Sequence, residues 1–115
     1  MRMYQAILLA GTEMATQETR EKYLMATKFR IIPGGAGIYQ LAGDTIPVVE
    51  VEEIIVGTKD MSFEDYVDCR VMNLIVETYY NNAVFDEVFA AFRAMDVSVF
   101  DFLVFLHQHD ELYTV

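Results

Sequence analysis

The chain is poor in cysteine: Cys69 is the single thiol in 115 residues. One thiol forms no intrachain disulfide and cannot by itself hold zinc or an iron–sulfur cluster. Its isolation suits a reducing, cytoplasmic setting. Bases are scarce too, with 8 Lys and Arg against 18 Asp and Glu and a net charge of -10. Nucleic acids and anionic membrane surfaces are bound through clustered Lys and Arg, so neither is an expected partner. The acidic surplus serves solubility, or else meets a basic protein surface. No apolar run is long enough to cross a bilayer, because the longest, Val97 to Leu106, is broken by Asp101. Met1 to Ala10 is too short for a signal peptide and lacks its pattern. Also missing are a Lys-Ser/Thr phosphate loop, a dinucleotide fingerprint, a G-x-S-x-G elbow and a hydrolytic triad. Neither an internal repeat nor a low-complexity segment is visible.

What remains is a globular composition, 54% hydrophobic and 23% charged, of a size expected for one domain spanning 1–115. Residues 3–10, MYQAILLA, read as a strand covered on both faces. Residues 17–25 read as a short exposed helix. The stretch 27–33 alternates weakly and stops at Pro33, GGAG at 34–37 reads as a turn, and 38–42 as a second strand. Gly43-Asp44 is a hairpin-type turn into a long strand at 45–56. Pro47 places the start of that strand on an edge. Glu53 breaks its alternation, which marks either a β-bulge or passage from an exposed edge to a buried setting.

Three helices follow, at about 63–80, 83–94 and 99–109. Ser62 with Asp65, and Ser98 with Asp101, resemble capping boxes. The first helix carries a stripe of Phe63, Tyr66, Val67, Val71, Leu74, Ile75, Thr78 and Tyr79. The third is apolar nearly all round, which calls for burial on several sides, by a second copy or a neighbouring domain. The expected fold is therefore α+β: a small, mainly antiparallel sheet over about 27–56, joined by 3–10 or leaving it to pair with another chain, and packed by three C-terminal helices.

No residue set emerges as catalytic or cofactor-binding. GGAG is followed by a strand pattern rather than the helix a phosphate loop needs, which favours a hairpin turn. Glu50, Glu52 and Glu53 form an acidic cluster in which Glu50 and Glu52 share a strand face, an arrangement open to a divalent ion but commoner as a solvated face. His107 and His109 flank Gln108 as metal-ligand types, yet on a helix they diverge by about 200°. Glu50, Glu52, His107 and His109 are thus the metal candidates, and a frayed helix end is the better account of the histidines. Cys69, beside Arg70, reads as an ordinary helix thiol.

The order of segments resembles a known family. YQAILLAGTEM, then ETREKYLMATKFRIIPGGAGIY, then VVEVEEIIVGTKDMSFEDYVDCRVMNLIVETYYN, is similar to the region after the core of cobalamin-binding radical S-adenosylmethionine (radical SAM) proteins, Fe–S oxidoreductases in type. Tyr23, Thr27, Lys28, Arg30, Ile32, Pro33, Glu50, Glu52, Glu53, Ser62, Phe63, Glu64, Asp65 and Tyr66 carry the likeness, which spans about 4–82. It implies a parent enzyme using a 4Fe–4S cluster, S-adenosylmethionine and cobalamin. The family's Cys-x3-Cys-x2-Cys motif and its cobalamin-binding domain are absent from this sequence, so no catalytic residue carries over and no cofactor is expected in this chain. The resemblance implies a C-terminal accessory domain that covers the barrel, contacts substrate or mediates dimerisation. Its partners would be the rest of the parent enzyme and, in isolation, a second copy. It also places Gly11-Thr12 near the barrel mouth. The alternatives are a free-standing acidic interaction module, and a small metal enzyme using Glu50, Glu52 and His107.

Overall fold

The computed structural model describes residues 3–112. The fold is α+β: a three-stranded antiparallel sheet and four α-helices, grouped into two compact units. One unit spans Gln5–Phe63 and holds the sheet; the other comprises residues 3–4 and 64–112 and is helical.

In the sheet unit the strands are β1 (Ile7–Leu8), β2 (Ala26–Leu41) and β3 (Asp44–Gly57), in the order β1-β3-β2. The opening apolar run joins the sheet, but only Ile7 and Leu8 pair, opposite Ile54 and Glu53. The expected strand over 3–10 is therefore shorter, and Tyr4 and Leu9 lie exposed. After Leu8 the chain turns away at Gly11, at φ +85°, and the Thr12 hydroxyl donates to the Leu9 carbonyl at 2.8 Å. A short 3-10 turn, Glu13–Ala15, leads into α1 (Gln17–Tyr23). Thr16 caps α1, its hydroxyl accepting from the Thr19 amide, and Leu24 ends it in the left-handed region at φ +48°.

β2 and β3 form one long hairpin closed by Ala42-Gly43, both at positive φ, with Leu41 opposite Asp44. The turn is thus centred one residue before the expected Gly43-Asp44; two consecutive positive φ values match the right-handed twist of the strands. GGAG proves not to be a hairpin turn. Ile31 pairs with Val51 and Ala36 with Val49, so residues 32–35 bulge opposite Glu50 inside a continuous β2. Gly35 is needed there, because a Cβ would lie 2.9 Å from Ile32 Cβ. The change at Glu53 is passage to a buried setting rather than a bulge. β3 is exposed up to Val51 and buried from Ile54 to Gly57, and β1 begins to flank it at Glu53–Ile54. The irregularity in this region falls three residues later, at Val56, between the Ala26–Gly57 and Thr27–Ile55 pairs.

The helical unit contains α2 (Phe63–Ile75, its first residue counted with the sheet unit), a π-helical extension over Val76–Asn81, α3 (Asp86–Ala94) and α4 (Val99–Gln108). Ile75, Val76, Leu103 and Leu106 form its core, with Val71, Met72 and Tyr79 against them. The buried seam of α2 is therefore rotated by about one residue from the expected stripe. Met72 and Val76 replace Val67 and Leu74, which are exposed. Phe89 of α3 is 1% exposed and sits among the rings of Tyr80, Phe92 and Phe102 at centroid distances of 6.0–6.3 Å. α3 starts later than expected because Ala83, at φ +56°, breaks the chain direction. The Ser98 cap is present, its hydroxyl accepting from the Asp101 amide at 3.2 Å. α4 buries Leu103 and Leu106, while Phe100 and Phe105 face outward.

Candidate functional site

The sheet unit presents two features that bear on function: a cavity beside α1, and the far half of the β2–β3 ribbon. The cavity measures about 800 Å³ and opens between the β1–α1 connection and the floor of β3. Thr12, Thr16, Met14, Tyr23, Met25 and Ile55 account for most of its character. The Tyr23 ring lies under two ammonium groups, Lys22 Nζ at 5.3 Å and Lys59 Nζ at 5.5 Å. Its size suits a small molecule. Its lining contains neither histidine nor cysteine, and the Thr12 and Thr16 hydroxyls already donate to the Leu9 and Glu13 carbonyls. Thr12 of the Gly11-Thr12 turn thus lines the cavity, together with the charged Glu13, Glu18 and Lys22.

Charged side chains next to the cavity tie α1 to the sheet. Arg20 makes a bidentate pair with Glu53, Nη1 to Oε1 at 2.6 Å and Nη2 to Oε2 at 2.7 Å. Its Nε donates to the Ala15 carbonyl at 3.0 Å, and the Thr27 hydroxyl donates to Glu53 Oε1 at 2.6 Å. The hydrogen bonds from Arg20 and then Thr27 hold the Glu53 carboxyl down at about 2, and Glu53 in turn raises Arg20. Forked guanidinium–carboxylate geometry of this kind fixes orientation. On the other face Arg30 Nε meets Glu52 Oε1 at 2.6 Å and its Nη1 reaches the Gln5 side chain.

Glu52 and Glu53 are thus committed to arginines on opposite faces, and Glu50 lies opposite the bulge of β2. In the helical unit His107 Nε2 is 3.1 Å from Asp68 Oδ1, whereas His109 Nδ1 is 2.8 Å from the Phe105 carbonyl and its ring stacks on Phe105 at 4.1 Å. The two rings have separate partners, as their spacing on α4 requires. Glu50 and Glu52 belong to one unit and His107 and His109 to the other. Among the described residues no group of three or more His, Cys, Asp or Glu could hold a metal ion. Cys69 is exposed, and a single thiol does not fit an iron–sulfur cluster.

The sequence reading missed Arg20 and Arg30 as the partners of the acidic cluster. Two adjacent glutamates on a strand that turns from exposed to buried were the available signal, since a carboxylate entering a buried setting needs a cation.

The ribbon is the second feature. Beyond the reach of β1 it has only two strands, both faces open, and it carries large apolar side chains. Cross-strand partners share a face, so Phe29, Ile31 and Val51, continued by Ala36, Val49, Ile38 and Pro47, form one uncharged stripe. The opposite face bears Lys28, Arg30 and Glu52 before reaching Tyr39 and Ile46.

No protein-family model, no curated protein and no solved structure matches the chain. No helix among the described residues is long and apolar enough to cross a membrane.

Proposed function

We propose that this chain is a non-catalytic accessory domain that joins a larger assembly through its β2–β3 ribbon. The carrying observation is the apolar stripe. A two-stranded ribbon is marginal in water unless a face is covered, and here five large apolar side chains on one face stand open. The reading takes its parent from the family resemblance: a cytoplasmic cobalamin-binding radical SAM enzyme whose 4Fe–4S cluster, S-adenosylmethionine and cobalamin are held elsewhere. The Thr12 and Thr16 hydroxyls, spent on backbone carbonyls, and the lone exposed Cys69 are consistent with a domain that performs no chemistry alone. Of the three accessory roles, the ribbon favours assembly over covering the barrel or contacting substrate.

The test is reconstitution of the chain with ferrous iron and sulfide under anaerobic conditions, followed by absorption spectroscopy. No stable visible band should remain after desalting. A persistent broad band of the kind given by thiolate-held clusters would overturn the reading. The reading frame upstream tests the parent separately: a Cys-x3-Cys-x2-Cys motif in frame supports it, and its absence from the full-length protein removes it.

A further inference from the structure

We infer that the occupant of the ribbon stripe is a second copy of this chain, packed face to face about a two-fold axis. The inference rests on the reading of the ribbon as an assembly surface. Phe29 is 71% exposed, Ile31 61%, Ile38 73%, Val49 53% and Val51 58%, all on the face defined by the odd-numbered residues of β3. Together they leave about 500 Å² of apolar area open, near the top of the range for the largest patch on a monomer. Adding the exposed rim of Ala36, Pro47, Gln40 and Thr45 brings the face close to the roughly 800 Å² that each partner contributes to a standard interface.

Charge selects the occupant. The chain carries a net -10, so two copies repel over most of their surfaces. The stripe is where like can meet like, because no charged residue interrupts it from the Gln40–Thr45 pair to Glu53, and Glu53 is neutralised by Arg20. A basic partner, the other occupant the acidic composition suggests, finds on this face only the Glu53 carboxylate, which Arg20 already holds. The opposite face, crossed by Lys28, Arg30, Glu50 and Glu52, would bring charges into register with their own copies.

Sedimentation equilibrium on the 115-residue chain tests this. The expected mass is twice the 13.2 kDa of one chain. Ile38→Asp should raise the dimer dissociation constant by roughly 100-fold or more, since both copies would bury an unpaired charge. At its exposed site the substitution leaves the far-ultraviolet circular dichroism unchanged. Phe100→Asp on α4, the helix whose apolar surface is the rival interface, should leave the dimer intact. A second measurement needs no destabilising change: Ile38→Cys in a Cys69→Ser background should form an intermolecular disulfide on mild oxidation at concentrations where Phe100→Cys in that background does not. A monomeric chain overturns the inference. So does a dimer dissociated by Phe100→Asp and not by Ile38→Asp. Neither result alters the absorption test, which addresses the non-catalytic reading separately.

Discussion

Adding one methyl group at Gly35 should loosen the ribbon, for a reason visible in the bulge. A Cβ there would meet Ile32 Cβ at 2.9 Å, the Ile32 carbonyl oxygen at 3.0 Å and Glu50 Cβ at 3.2 Å. Comfortable carbon contacts begin near 3.5 Å. None of the three atoms is the end of a flexible side chain, so relief has to come from the backbone of residues 32–35 or of β3. Overpacking of this kind costs about 1–3 kcal/mol. Gly34 next door is the control, since its surroundings are open to 4 Å but its φ is +80°. Gly34→Ala should cost about 1–2 kcal/mol from backbone strain alone, and Gly34→Asn less, because asparagine tolerates the left-handed region. Hydrogen exchange read by mass spectrometry is the assay, as it reports the ribbon separately from the helices. Amides of β2 and β3 in Gly35→Ala should exchange roughly 5- to 150-fold faster, with α3 and α4 unchanged. Unchanged protection in Gly35→Ala would refute the bulge and return GGAG to an ordinary loop, where a methyl is harmless.

Two further outcomes follow from the packing and the charges. Phe89→Ala should cost about 3–5 kcal/mol in urea unfolding followed by circular dichroism, against under about 1 kcal/mol for the exposed Phe100→Ala; equal losses would contradict the aromatic core around Phe89. The Glu53 carboxyl is lowered from its usual 4.5 to about 2, so its contribution to stability is complete above about pH 5 and is lost as the pH falls from 4.5 towards 2. The urea midpoint should decline across that window in the native protein, and Glu53→Gln should flatten the decline.

Local chemistry was legible in the chain itself. The α+β class, the three C-terminal helices, the Ser98 cap and the turn near Gly43 into a long strand all follow from periodicity and short-range hydrogen bonding, which neighbours in sequence decide. The exposed-to-buried change along β3 was legible as well, because Glu50 and Glu52 alternate with valines and Ile54, Ile55 and Val56 do not. What the sequence could not supply was register. The bulge places three extra residues on β2, an odd number, and so exchanges the faces of everything before it. Without it Arg30 would lie across from Ile55; with it Arg30 meets Glu52, and Phe29 and Ile31 fall on the same uncharged stripe as Val49 and Val51. Whether GGAG turns the chain or bulges within a strand depends on the close fit of Gly35 against Ile32 and against Glu50, a residue 15 positions further along. The seam of α2 is a similar case: Val76 rather than Leu74 is buried because the surface of α4, carrying Leu103 and Leu106, selects which side of the helix is covered. Residue types and spacing therefore determined which elements form and that the chain is acidic. Pairing across the ribbon, set by long-range sterics and charge, decided which side chains share a face and hence which apolar side chains are left exposed.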